Sequence, residues 1–215
     1  MFLLWAVLLG VVLGYLFGGR VSHLANLRLR FLWLIGSALL LQLLIFPLFT
    51  DRPIIPVATG ALHLVSYGLI LFFFALNYRI VPLLAIGVGS LLNLVVITVN
   101  GGFMPASPAA LARSGASAAA AHLLEDGVYG NVVRMSDKTS WNGLGDLLYL
   151  PRGMPFATAF SVGDLLVACG IVWLIAWGMA AGRHRRPACE THEAAHNRDH
   201  LGPDGRTNPP EEENG

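Results

Sequence analysis

Three polar side chains lie inside apolar runs long enough to cross a membrane: Gln42, His63 and Asn93. Gln42 stands seven residues before the end of the run 31–49, His63 six after the start of the run 57–76, and Asn93 six before the end of the run 80–99. If the runs are helices of alternating direction, a rise of ~1.5 Å per residue puts all three at one depth, roughly 10 Å below the same membrane face. Hydrocarbon offers amides and imidazoles no partner, so these groups must point inward and meet one another. His63, Ser66 and Tyr67 share one helical face, and Gly89, Asn93 and Asn100 share a face of the following run. Two chemistries fit. One is interhelical hydrogen-bond glue, each bond worth ~0.6 kcal/mol. The other is a polar pocket in which protonated His63 binds an anionic or hydrogen-bonding headgroup. Asn100 and Asp164 would then lie at its mouth, Asp146 nearby, and residues 101–160 would form its lid. The inner half of the bundle shows no equivalent cluster.

Two carboxylates extend the inventory, because Gly-Asp-Leu-Leu occurs at 145–148 and again at 163–166. Ser161 and Asp164 have the Ser-x-x-Asp spacing of a capping box before an apolar run, and an acid suits a helix start. Asp146 has no serine three residues earlier, so its role is less explained. Together with His63 or His122 the two acids could do acid–base work on a lipid-linked substrate. That is the enzymatic alternative. His192-Glu193-Ala194-Ala195-His196 matches the His-Glu-x-x-His zinc pattern, and His200 continues its spacing. A zinc protease needs a buried helix, a third ligand and a substrate cleft. This match sits in a polar tail without a core, so it reads as coincidence. With no nucleophile motif and no phosphate loop either, the sequence implies no metal and no cofactor.

The elements that must position these residues follow from composition. Hydrophobic residues make up 55% of the 215 and charged residues 13%, against ~25% charged in ordinary soluble domains. Lipid is therefore the solvent for much of the chain, and the bilayer its first partner. A net charge of +1 with no basic, aromatic-interleaved patch gives no reason to expect nucleic acid. Five runs, 2–18, 31–49, 57–76, 80–99 and 162–181, approach the ~20 residues that cross ~30 Å of hydrocarbon. The first lacks the leading positive charge of a cleavable signal peptide. Its Gly10, Gly14 and Gly18 form a small-residue stripe suited to close helix packing. Arg20, Arg28 and Arg30, then Arg79, then Arg183, Arg185 and Arg186 fall in alternate connections, against only Arg52 in the opposite short loop. Positive residues in short loops mark the cytoplasmic side. The amino terminus is thus expected outside, and 100–160 outside with it.

Cys169 in the last run and Cys189 in the tail cannot staple the outer loop, so packing must order it. Ser107-Pro108 is a helix start, with the helix continuing to Arg113 and ending at Ser114-Gly115; a second short helix is expected over 118–124 and a short strand within 128–140. The tail from 182 on has too little apolar content to order itself. The expectation is an all-α membrane protein with five transmembrane helices, a partly helical extracytoplasmic loop and a disordered cytoplasmic tail. Its parts are a four-helix region 1–99, the loop or lid 100–161, the fifth helix 162–182 and the tail 183–215.

Asn100-Gly101-Gly102 with Met104-Pro105, Leu144-Gly145-Asp146, and Ser161-Val162-Gly163-Asp164 leading into the last run carry a resemblance. The pattern resembles a family of uncharacterised bacterial multi-pass membrane proteins, over roughly 2–181. The resemblance implies a protein of a bacterial cytoplasmic membrane and supplies no mechanism. Function is therefore expected to be binding of a small ligand, lipid headgroup or membrane partner at the outer face. The candidate residues are Gln42, His63, Tyr67, Asn93, Asn100, Asp146 and Asp164.

Overall fold

The computed structural model describes residues 2–46 and 58–181. The readings of Arg52, of the last residues of the second run, and of the tail with its motif at 192–196 lie outside the described residues.

Apolar helices occupy all five runs: α1 (Leu3–Leu16), α2 (Trp33–Ile45), α3 (Thr59–Leu76), α4 (Val81–Val99) and α7 (Val162–Ala181). Three of them, α3, α4 and α7, are long and apolar enough to cross a membrane. At 14 and 13 residues, α1 and α2 rise only ~20 Å, short of ~30 Å of hydrocarbon. Pro82 in the first turn of α4 suits a position whose N–H has no helical partner.

Packing contacts run in the order α1, α7, α4, α3, α2, so the last helix inserts between the first and the fourth. Glycine makes both of its seams. A Cβ on Gly10 would stand 3.0 Å from Ile175 Cβ, and one on Gly14 would strike the Met179 side chain. Gly18 has a different role, ending α1 in the left-handed region at φ 73°. On the α4 side, a Cβ on Gly170 would stand 2.5 Å from Ile86 Cγ1. Leu8, Val12, Leu40, Val65, Phe72 and Leu91 face outward while His63, Ser66, Ser90 and Asn93 are buried. That inverts the distribution of a water-soluble bundle.

Between α4 and α7 the chain folds into a cap, and here the all-α expectation is corrected. Strands β1 (Met104–Ala106), β2 (Val128–Tyr129) and β3 (Val132–Arg134) form a sheet in the order β1-β3-β2. β1 runs parallel to β3 with Met104 opposite Val132, and β2 antiparallel with Val128 opposite Val133. β4 (Leu148–Tyr149) and β5 (Ala159–Phe160) pair antiparallel. β2 and β3 fall in the stretch 128–140 where a short strand is expected; β1, β4 and β5, at two or three residues, are too short for an alternating pattern to reveal them.

Helices α5 (Pro108–Arg113) and α6 (Ser117–Glu125) stand near their expected places. The Ser107 hydroxyl accepts from Ala110 N at 3.3 Å. The cap core is Ala106, Ala110, Leu111, Ala120, Leu123 and Ala159, whose alanines let the two short helices approach. A second cluster, Val96, Ile97 and Met104 with Tyr67 and Val132 against it, joins the cap to the bundle.

At the opposite end the polar contacts come from the connections. Asn77, only 5% exposed, accepts from Arg30 N at 2.8 Å and donates to Arg30 O at 2.9 Å. It thereby clasps the two connections at that end. His23 Nδ1 lies 2.7 Å from Met179 O and ties the α1–α2 connection to the end of α7.

Candidate functional site

The predicted polar residues gather where the bundle meets the cap. On α3, His63 is 2% exposed. Its Nδ1 lies 2.8 Å from Gly102 O, and a carbonyl only accepts, so this nitrogen carries the proton. The ring meets Phe46 and Tyr67 edge-on at centroid separations of 5.0 and 5.3 Å. Gly102 reaches it from a left-handed turn with φ 96°. The turn lies so close to α3 that a Cβ on Gly102 would overlap Gly60. The glycine pair thus turns the chain sharply off α4 and seats it on the first turn of α3.

Gln42 joins α2 to the same place. Its Nε2 donates to Ser66 Oγ at 3.0 Å, and Ser66 Oγ donates to His63 O at 2.7 Å. Asn93 faces the other way, toward α7. Its Nδ2 donates to Asp164 Oδ1 at 2.8 Å, and its Oδ1 accepts from Ser161 Oγ at 2.9 Å. Asp164 Oδ2 accepts from Ser161 N, and Ser161 Oγ from Asp164 N, each at 3.0 Å. The capping box expected from the sequence is therefore present, and Asn93 welds it to α4. Gly163 is what permits the weld, because a Cβ there would collide with Asn93 Oδ1.

Tyr67 closes the gap between the two groups. Its side chain hydrogen-bonds Asn93 and lies in the field of Asp164 and Asp146. Asn100 clasps the cap: its Nδ2 donates to Val96 O at 2.8 Å and Ser140 O at 2.9 Å, and its Oδ1 accepts from Ser140 N at 2.9 Å.

Asp146 enters from the cap, on backbone pinned to β1. Its N–H donates to Pro105 O at 2.8 Å, and its carbonyl accepts from Ser107 N at 3.1 Å. The two Gly-Asp-Leu-Leu copies thus differ in structure, one beside a strand and one starting a helix, yet their carboxyls approach. Burial first, and then the charge of Asp164, push the half-buried Asp146 carboxyl up to about 7. Among the described residues no hydrogen bond reaches that carboxyl.

The structure therefore brings Gln42, His63, Tyr67, Asn93, Asp146 and Asp164 into one junction, with Asn100 beside it. It does not bring His122, which is exposed on α6 with Nδ1 3.6 Å from Asp126 and its ring stacked on Tyr129. Among the described residues no buried side-chain polar atom lacks a partner, and no group of three or more His, Cys, Asp or Glu could hold a metal. Two apolar grooves lie elsewhere, about 480 Å³ between α1 and α7 and about 300 Å³ between α3 and α4. None of the seven candidate residues lines either groove. Sequence reasoning missed both the Ser140 backbone, which partners the Asn100 side chain from 40 residues away, and Asn77, whose side chain holds the Arg30 backbone 47 residues away.

A family model matches residues 26–176, and the chain belongs to that family, a family of unknown function (DUF5317). The match contains every residue of the junction. No curated protein and no solved structure matches the chain.

Proposed function

We propose that the chain is a multi-pass protein of a bacterial cytoplasmic membrane, with five transmembrane helices, an outer amino terminus and a cytoplasmic tail. Its cap binds a small ligand, lipid headgroup or membrane partner at the outer face. One observation carries this. Large apolar side chains cover the outside of α3, α4 and α7, while the buried polar ones gather inside at the cap end. In water that arrangement would be costly; in lipid it is the favourable one. The arginine asymmetry of the connections supports a cap on the outside. The test is labelling with an impermeant maleimide in intact cells, with Cys169 and Cys189 replaced. Ser117→Cys, on the exposed start of α6, should react from outside, and Ala194→Cys only after lysis. The opposite pattern overturns the topology.

One observation favours the enzymatic alternative: Asp146 holds its proton near neutral pH beside a second carboxylate, the setting of a general acid. Asp164 is committed to Asn93 and Ser161, and the His63 Nδ1 proton to Gly102, so Asp146 would have to act alone. A lipid-extract component that the wild type converts and Asp146→Asn does not would establish this alternative.

A further inference from the structure

The polar side chains of the junction other than Asp146 are hydrogen-bonded to one another and to the cap backbone, and none lines either apolar groove. The groove between α1 and α7 offers a separate surface. Trp5, Leu9 and Leu13 of α1 face Leu165, Cys169 and Val172 of α7 across about 480 Å³. From Phe2 to Leu13 the groove follows α1 for roughly 16 Å at ~1.5 Å per residue, about half of the ~30 Å hydrocarbon core. It is therefore as long as the acyl layer of one leaflet.

Its upper end is built from the cap. Trp5 Nε1 donates to Pro155 O at 2.9 Å, and Phe2 stacks on Phe160 at 4.3 Å. Arg152 lies three residues before Pro155, so at ~3.5 Å per residue its Cα is at most about 10 Å away. A turn closed by Met154 N to Pro151 O shortens that path. The Arg152 side chain runs over Gly115, where a Cβ would meet its Cγ at 3.2 Å. Two residues earlier Arg113 holds its guanidinium 5.9 Å from the Tyr149 ring centroid. Both arginines are exposed, and among the described residues neither has a carboxylate within salt-bridge reach. An apolar slot one leaflet deep therefore ends at the cap segment that carries Arg152, with Arg113 beside its stem, and neither arginine has a described carboxylate partner.

We propose that this groove holds an acyl chain of an anionic phospholipid whose phosphate is bound by Arg113 and Arg152. Guanidinium groups suit that role because their planar donors match two phosphate oxygens at once. The inference rests on the membrane reading above and adds the lipid class and its site.

The test uses the full chain in phosphatidylcholine vesicles with phosphatidylglycerol or phosphatidylcholine spin-labelled near the chain end. The motionally restricted fraction of each gives their relative association by electron paramagnetic resonance. The wild type should favour phosphatidylglycerol several-fold. Arg113→Gln with Arg152→Gln should bring the ratio to about one, while the corresponding pair of lysine variants keeps a preference. Cys169→Trp, which fills the groove from an exposed position, should remove the strongly held phosphatidylglycerol and decides the matter if the glutamine pair does not fold. No preference in the wild type, or a preference that survives groove filling, overturns the site. The ratio does not depend on which side the cap faces. A lost preference with outside labelling of Ser117→Cys therefore sinks the site alone, and a retained one with labelling only after lysis sinks the orientation alone.

Discussion

Replacing Asp146 by asparagine should stabilise the protein at alkaline pH and leave it nearly unchanged in acid. The carboxyl is pushed from an ordinary 3.8 to about 7 by burial and by Asp164. Between those values the folded chain keeps a proton that the unfolded chain has released, so stability falls as pH rises and levels off above about 7. At ~1.4 kcal/mol per tenfold change in proton affinity the full cost would be about 4 kcal/mol. Asp146 is only half-buried, and solvent screening reduces this to ~1–2 kcal/mol. For a chain of this size that is about 5 °C in melting temperature. The assay is thermal unfolding in one detergent, followed by tryptophan fluorescence, between about pH 5 and pH 8. Other groups titrate in that window, so the informative quantity is the difference between Asp146→Asn and wild type. It should favour the variant increasingly as pH rises, with about a third of the full difference present at pH 5 and nearly all of it at pH 8. A difference that is flat with pH, or that favours the wild type at pH 8, refutes the placement of this carboxyl against Asp164.

Gly163→Ala should cost ~2 kcal/mol or more, since its Cβ would collide with Asn93 Oδ1 and stand 2.8 Å from Gly89 O; an unchanged melt would show that α4 and α7 are not in this contact. Asn77→Ala should cost ~1–3 kcal/mol, because it leaves both the N–H and the carbonyl of Arg30 without their partner. The thermal melt again reports it, and no loss would mean that the two connections are not clasped there. Removal of residues 184–215, or Glu193→Gln alone, should leave the melt and membrane insertion unchanged. Bound zinc lost on the truncation, or a measured activity lost through Glu193→Gln alone, would show that the motif at 192–196 had been dismissed wrongly.

The bounds of α7 were legible because a capping box opens an unbroken apolar run: the expected 162–181 is the observed Val162–Ala181. The start of α5 was legible for the same local reason, a serine cap followed by proline. Level along the bundle was legible in part, since Gln42 donates to Ser66, one helical turn from His63 on α3. Neighbour order was not. Asn93 shares that expected level, yet its main partners are Asp164 and Ser161, because α7 packs between α4 and α1. Nothing in a rise per residue says which helices stand side by side. The short strand expected within 128–140 is present as β2 and β3, but β1, β4 and β5 escaped because they are only two or three residues long. The cap core was not among the expectations: alanines of α5 and α6 form it, because small side chains let two short helices close on β1 and β5.

The central claim is that the buried polar side chains are spent on one another, holding the cap to the bundle. Asn93 and Asp164 join across 71 residues at 2.8 Å, so the most direct measurement is their coupling energy in a double-mutant cycle of Asn93→Ala and Asp164→Ala. Thermal or denaturant unfolding of the four proteins should give a coupling of about 1 kcal/mol or more, inside the ~0.5–3 kcal/mol range of residues in one network. Two losses that add to within ~0.3–0.5 kcal/mol in folded proteins would contradict the account, because the pair would then not be in contact.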